Sequence, residues 1–161
     1  MNPFVTLSVQ CTMSLLIFFL VAQWYLVPQI RKDNKVQILA FLLLLNVFRY
    51  LPLSLFMPGQ VSVNFPHYLK EMVAYGDFTS GLLALLALIL LKKGNKSANA
   101  FVWLFSFISV VDLVTVLILA IKEKVYELPL GANYFTISVY VPLLIITQFY
   151  LLKTLTNKAY Q

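Results

Sequence analysis

The sequence predicts an all-α integral membrane protein, a single polytopic domain over residues 1–161 that crosses the bilayer five times, with its N-terminus outside and its C-terminus cytoplasmic. Three observations lead there. Of the 161 residues, 61% are apolar and only 11% charged, whereas a soluble domain is nearer half apolar and a quarter charged. Apolar runs of membrane-crossing length recur along the chain, separated by short polar stretches. The basic residues behind the net charge of +6 sit in those stretches and form no continuous face, which argues for membrane topology and against nucleic-acid binding. One soluble core of this size could not hide so much apolar surface. Lipid as the solvent removes that difficulty.

About 20 mainly apolar residues cross the hydrocarbon core as a helix. Residues 5–27 form the first run, stopped by Pro28 and the polar residues Gln29, Arg31, Lys32, Asp33, Asn34 and Lys35. Met1 to Phe4 carry no Lys or Arg, so the basic n-region of a cleaved signal peptide is not supported and the run is expected to be retained. Residues 36–57 form the second span, closed by Pro58-Gly59. The third is less continuous, since its uninterrupted apolar part, residues 81–91, is too short alone. Asn64-Phe65-Pro66 reads as a cap followed by proline in the first turn, which places the helix at 66–91. That length is about 39 Å at 1.5 Å per residue, enough to cross with Lys70 and Glu71 at the headgroups. Residues 101–121 and 134–155 are the fourth and fifth spans.

Charge counting supports five crossings. They put Arg31, Lys32, Lys35, Lys92, Lys93, Lys96, Lys153 and Lys158 on one side, and Lys70, Lys122 and Lys124 on the other. Cationic loops stay in the cytoplasm, which sets the orientation. Removing the third span would split the lysine-rich loops between the two sides. Trp24, Tyr25, Tyr134 and Tyr150 fall near the expected membrane interfaces, where amphipathic rings belong. The resulting expectation is a plasma-membrane or bacterial inner-membrane protein.

Polar residues within the spans lie at similar depths. Arg49 is eight residues before the end of the second span, about 12 Å deep, with Asn46 one turn further in. Asp77 is about two turns inside the third span and Ser80 one turn beyond it. Ser106, Ser109, Asp112 and Thr115 recur every three residues in the fourth. The fifth carries Asn133, Thr136, Tyr140 and Thr147, and the first offers Gln10 and Ser14. A charge near the bilayer centre costs about 2.5–3.5 kcal/mol on insertion scales, so Arg49 is expected to turn inward to Asp77 or Asp112, the only intramembrane acids. Arg49, Asp77, Asp112, Asn46, Ser80, Ser109 and Tyr140 are therefore the candidate ligand-binding residues. The opposing reading of the same cluster is an ion pair with hydroxyl groups that simply holds the bundle together.

Other features bear on packing. Gly76, Ser80 and Ala84 recur at four-residue intervals, with Gly81 and Ala87 beside them, a spacing that lets helices approach closely. Pro52 and Pro142 fall inside their spans, where each frees a backbone carbonyl and can distort the helix near the polar layer. The longer connections, residues 58–65 and 122–132, are expected to fold over that layer as a lid.

Cys11 is the only cysteine and His67 the only histidine, so no intrachain disulfide, thiolate metal cluster or bis-imidazole haem site is expected. His67 and Glu71, one turn apart, read as surface residues at a helix start. No cofactor, metal or catalytic residue is expected. The leading functional expectation is a small-molecule-binding or transporting membrane protein with a polar cavity in the outer half of the bilayer. Membrane lipid and a small-molecule ligand or cation are its expected partners, and five helices are few for a complete transporter, so a homo-oligomer or a partner membrane subunit is expected too. Two alternatives are a non-catalytic subunit or assembly factor that uses the layer for helix packing, and an intramembrane enzyme acting on a lipid-like substrate. The last is weakest, because no nucleophile motif is present.

Overall fold

The computed structural model describes residues 2–31 and 35–156. Among these the protein is all helical, with five helices long and apolar enough to cross a membrane. They are α1 (Pro3–Ile30), α2 (Lys35–Phe56), α3 (His67–Lys92), α4 (Ala98–Lys122) and α5 (Asn133–Thr156). Of the basic residues used to orient the chain, Lys32 and Lys158 lie outside the described residues. The bundle has two distinct ends. The lid end carries residues 57–66 and 123–132; the basic end carries residues 93–97 and the start of α2.

Helix boundaries follow local chemistry. Asn2 caps α1, its Oδ1 accepting from the Phe4 amide at 2.9 Å, and Pro3 occupies the first turn, where a missing N–H costs nothing. The expectation that Pro28 ends the first span is not met, since helix continues through Val27–Arg31. A wider turn makes this possible. Residues Ala22–Leu26 are π-helical, and the Val27 amide bonds back to the Ala22 carbonyl. The proline ring, which would press on a carbonyl four residues earlier in a regular α-helix, follows directly on that wider turn. α5 repeats the device: Thr136–Tyr140 is π-helical, Val141 bonds back to Thr136, and Pro142 follows. Pro52 is met differently, within the 3₁₀ segment Phe48–Phe56 that ends α2.

At the start of α3 the capping expectation is corrected. Pro66 itself is the N-cap residue, and its carbonyl accepts from the Lys70 amide at 3.0 Å. The Asn64 side chain does not cap, and the Asn64 amide instead donates to Ser62 Oγ at 3.2 Å.

Two apolar cores lie at opposite ends. The larger gathers Leu39, Leu42, Leu43, Ala84, Ala87, Val102, Phe105, Tyr150 and Leu151 toward the basic end. The smaller joins Phe65, Leu69, Val125 and Leu130 at the lid end. There the two longer connections meet, the Ser62 amide donating to the Pro129 carbonyl at 3.1 Å. Tyr150 is buried against the larger core and its hydroxyl accepts from the Gln23 side-chain amide at 3.0 Å. Trp24 and Tyr25 remain exposed.

Candidate functional site: an ion-pair layer between the two cores

Between the apolar cores lies a polar layer centred on Arg49, whose side chain is fully buried. A buried guanidinium needs acceptors for its five N–H donors. Arg49 Nε and Nη2 both reach Asp77 Oδ1 at 2.7 Å. Nη2 also meets Asp112 Oδ2, and Nη1 meets Ser109 Oγ. Ser109 donates onward to Gln148 Oε1 at 3.3 Å, and Gln148 Nε2 donates to the Ser106 carbonyl at 3.2 Å. One guanidinium thus connects α2, α3 and α4, and Ser109 extends the network to α5.

Close helix approach makes these contacts possible. A Cβ at Gly81 would sit 3.1 Å from the Val47 carbonyl and 3.6 Å from Arg49 Cβ, so the glycine brings α3 against α2 beside the arginine. A Cβ at Gly76 would overlap the Asp112 carboxylate. The small-residue stripe therefore serves two seams, with Gly81 toward α2 and Gly76 toward α4. Ala84 and Ala87 are fully buried further along α3.

Asn46, one turn from Arg49, donates to the Leu42 carbonyl at 2.8 Å and to Thr147 Oγ1 at 3.2 Å. Among the described residues its Oδ1 has no hydrogen-bond partner, and neither do the buried hydroxyls of Ser80 and Ser106. Tyr140 donates to the Leu45 carbonyl at 3.0 Å. Leu45 lies near the junction with the 3₁₀ segment, where the change of hydrogen-bond register leaves carbonyls in need of other donors.

Of the candidate residues, Arg49, Asp77, Asp112 and Ser109 are in direct contact. Asn46 and Tyr140 flank them through α5 and the α2 backbone, and Ser80 is buried nearby on α3. Several polar residues read as part of the layer stand elsewhere. Gln10 accepts from the Tyr134 hydroxyl, Asn133 accepts from Ser54 at 2.8 Å, and Thr115 bonds back to the Val111 carbonyl. Gln148 belongs to the layer as well, and its signal in the sequence is an amide inside the apolar run of α5. His67 and Glu71 are exposed, 3.6 Å apart at the start of α3.

Two cavities are prominent, and Arg49 lines neither. A shallow groove of about 580 Å³ follows the α3–α4 seam from Tyr68 and Glu71 at the lid end, past Tyr75 and Gly76, to Thr79 and Asp112. An apolar cleft of about 550 Å³ lies between α1, α2 and α5 toward the basic end. Asp112 alone among the charged groups of the layer touches both Arg49 and a cavity wall.

The arrangement defines a class, a bundle of membrane-length helices closed around a buried ion-pair layer. Residues 6–156 match a family described as a domain of unknown function (DUF8737), and the chain belongs to that family. No curated protein and no solved structure matches the chain.

Proposed function

We propose that this protein is a multi-pass membrane protein, N-terminus outside and C-terminus cytoplasmic, that binds a small cation or a proton at Asp112 in the outer half of the bilayer. The single observation behind this reading is an imbalance. One guanidinium faces two carboxylates, and the Asp112 carboxylate also lines the α3–α4 groove. A net negative charge in a low-dielectric layer favours neutralisation by a proton or cation. The unpartnered Asn46 Oδ1 adds an acceptor to the same layer.

An anion held by Arg49 fits less well, since its guanidinium already serves Asp77, Asp112 and Ser109. The groove offers a route in which Glu71 collects cations at the rim and Tyr68, Met72 and Tyr75 line the way to Asp112. With five helices, transport would use a homo-oligomer or a partner subunit in a plasma membrane or bacterial inner membrane. The competing role, a subunit or assembly factor held together by the ion pair, draws support from the same contacts.

A hydrophobic carbodiimide separates the two, because it reacts with a carboxyl group that takes up a proton in apolar surroundings. The expected result is modification of Asp112, read by mass spectrometry of the purified protein, suppressed by sodium or another small cation or by raised pH. Asp112→Asn should remove the modified peptide. An unreactive Asp112, or reactivity indifferent to both cations and pH, would leave the layer a packing device.

A further inference from the structure

The apolar cleft on the opposite side of the bundle includes none of Arg49, Asp77 and Asp112, and it meets the polar layer only at its inner end, where Thr147 and Leu45 accept from Asn46 and Tyr140. α1 has no buried residue along Pro3–Val21, and it meets α2 at the basic end, where Val27–Arg31 packs against the start of α2. Further along, α1 packs on α5 and stands apart from α2, and a wedge opens between them with α5 as its floor. Its walls are aliphatic and aromatic, with Leu42, Phe41 and Ile146 facing Phe18 and Val21, and its amides, Gln29 and Gln37, sit at the basic end.

The dimensions identify an occupant. Along α2 the cleft runs from Gln37 to Leu45 and along α1 from Phe18 to Gln29, about 12–16 Å of helix. That is roughly half of the ~30 Å hydrocarbon thickness, the depth of one leaflet. A crevice that is apolar along its length and polar at the headgroup level matches an acyl chain with its polar end upward. The charge at the mouth selects the headgroup. Lys153 Nζ lies 5.8 Å from the ring centroid of Tyr150, a cleft residue, and Lys35 begins the helix that carries Gln37. We propose that this cleft binds one acyl chain of an anionic phospholipid from the leaflet at the basic end, with the headgroup held near Lys153 and Lys35.

Native mass spectrometry of the full-length protein in mild detergent tests this, with phosphatidylglycerol and phosphatidylcholine of identical chains as probes. Wild-type protein should retain one phosphatidylglycerol in preference to phosphatidylcholine. Val21→Trp places an indole in the cleft from a half-exposed position and should abolish retention of both. Lys153→Gln should lower the preference for phosphatidylglycerol about fivefold, the effect of one basic residue near a headgroup, without weakening phosphatidylcholine. Lys122→Gln, which removes a basic residue at the opposite end of the bundle, should change neither. Equal retention of the two lipids by wild type, no retention at all, or full retention by Val21→Trp would overturn the assignment. Should Val21→Trp fail to fold, an unchanged preference in Lys153→Gln overturns it alone.

Discussion

Gly76 and Asp112 face each other across the α3–α4 seam so closely that a Cβ on residue 76 would overlap the carboxylate oxygen Oδ1. The missing side chain on α3 is what leaves room for the acid on α4 to reach Arg49 on α2. A charge network buried among helices of membrane-crossing length thus depends on a residue with no side chain.

Gly76→Ala should displace the Asp112 carboxylate or spread the seam. Overpacking at such a contact costs about 1–3 kcal/mol, and the substitution should lower the thermal unfolding midpoint in detergent. Thr79→Ala, one turn along the same groove, removes only a hydroxyl bonded back to the Tyr75 carbonyl and should stay within about 0.5 kcal/mol. Equal midpoints for the two variants would show that Gly76 does not position Asp112.

The charge network should respond asymmetrically. Arg49→Met leaves two neighbouring carboxylates without their guanidinium, and removing one partner of a buried ion pair costs about 3–5 kcal/mol. Asp112→Asn leaves the Arg49–Asp77 pair in place and keeps an oxygen near Nη2, so about 1–2 kcal/mol is expected. Arg49→Lys should behave more like Arg49→Met, because one ammonium lacks the planar fork that serves Asp77, Asp112 and Ser109 together. Denaturant unfolding in a defined detergent gives the order.

The helices are readable in the sequence because each is an apolar run long enough to cross a membrane. Arg49, Asp77 and Asp112 were readable for the related reason that charges in such runs need partners. Exceptions arise where local geometry competes with composition. Pro28 reads as a stop, yet the π turn before it lets α1 continue. Tyr150 reads as a ring with an exposed face, yet it is buried and its hydroxyl accepts from Gln23. Hydroxyls spaced every three residues on α4 suggest one stripe, but they diverge: Ser109 joins the Arg49 network while Thr115 bonds to its own helix. Gln148 completes the network from α5, and only the packing of α5 on α4 shows which polar group it meets.

Tyr140→Phe tests whether the irregular end of α2 is held by α5. The variant keeps the ring and removes the donor to the Leu45 carbonyl. Leaving that carbonyl unpaired should cost about 1–3 kcal/mol. Hydrogen exchange should accelerate in residues 48–56, downstream of the junction, more than in the start of α2. Uniform exchange along α2 would assign the 3₁₀ segment to Pro52 alone.

The connections at the lid end should be separable from the bundle. Gly131 has φ +53°, in the left-handed region that side chains resist, and a Cβ there would lie 2.6 Å from the Gln60 carbonyl. Gly59 shares the positive φ, at +77°, but has open space around its Cβ position. Gly59→Ala therefore meets backbone strain of about 1–2 kcal/mol alone, whereas Gly131→Ala meets that strain and a backbone clash where the two connections touch. The clash lies next to the Ser62–Pro129 hydrogen bond and the Phe65–Leu130 core, so Gly131→Ala should expose residues 58–65 and 123–132 to protease far more than Gly59→Ala does. The larger core at the basic end shares no residue with that region, and cleavage should leave the helical signal of the bundle in place. Equal protease sensitivity of the two variants would show that the connections do not lean on each other at Gly131.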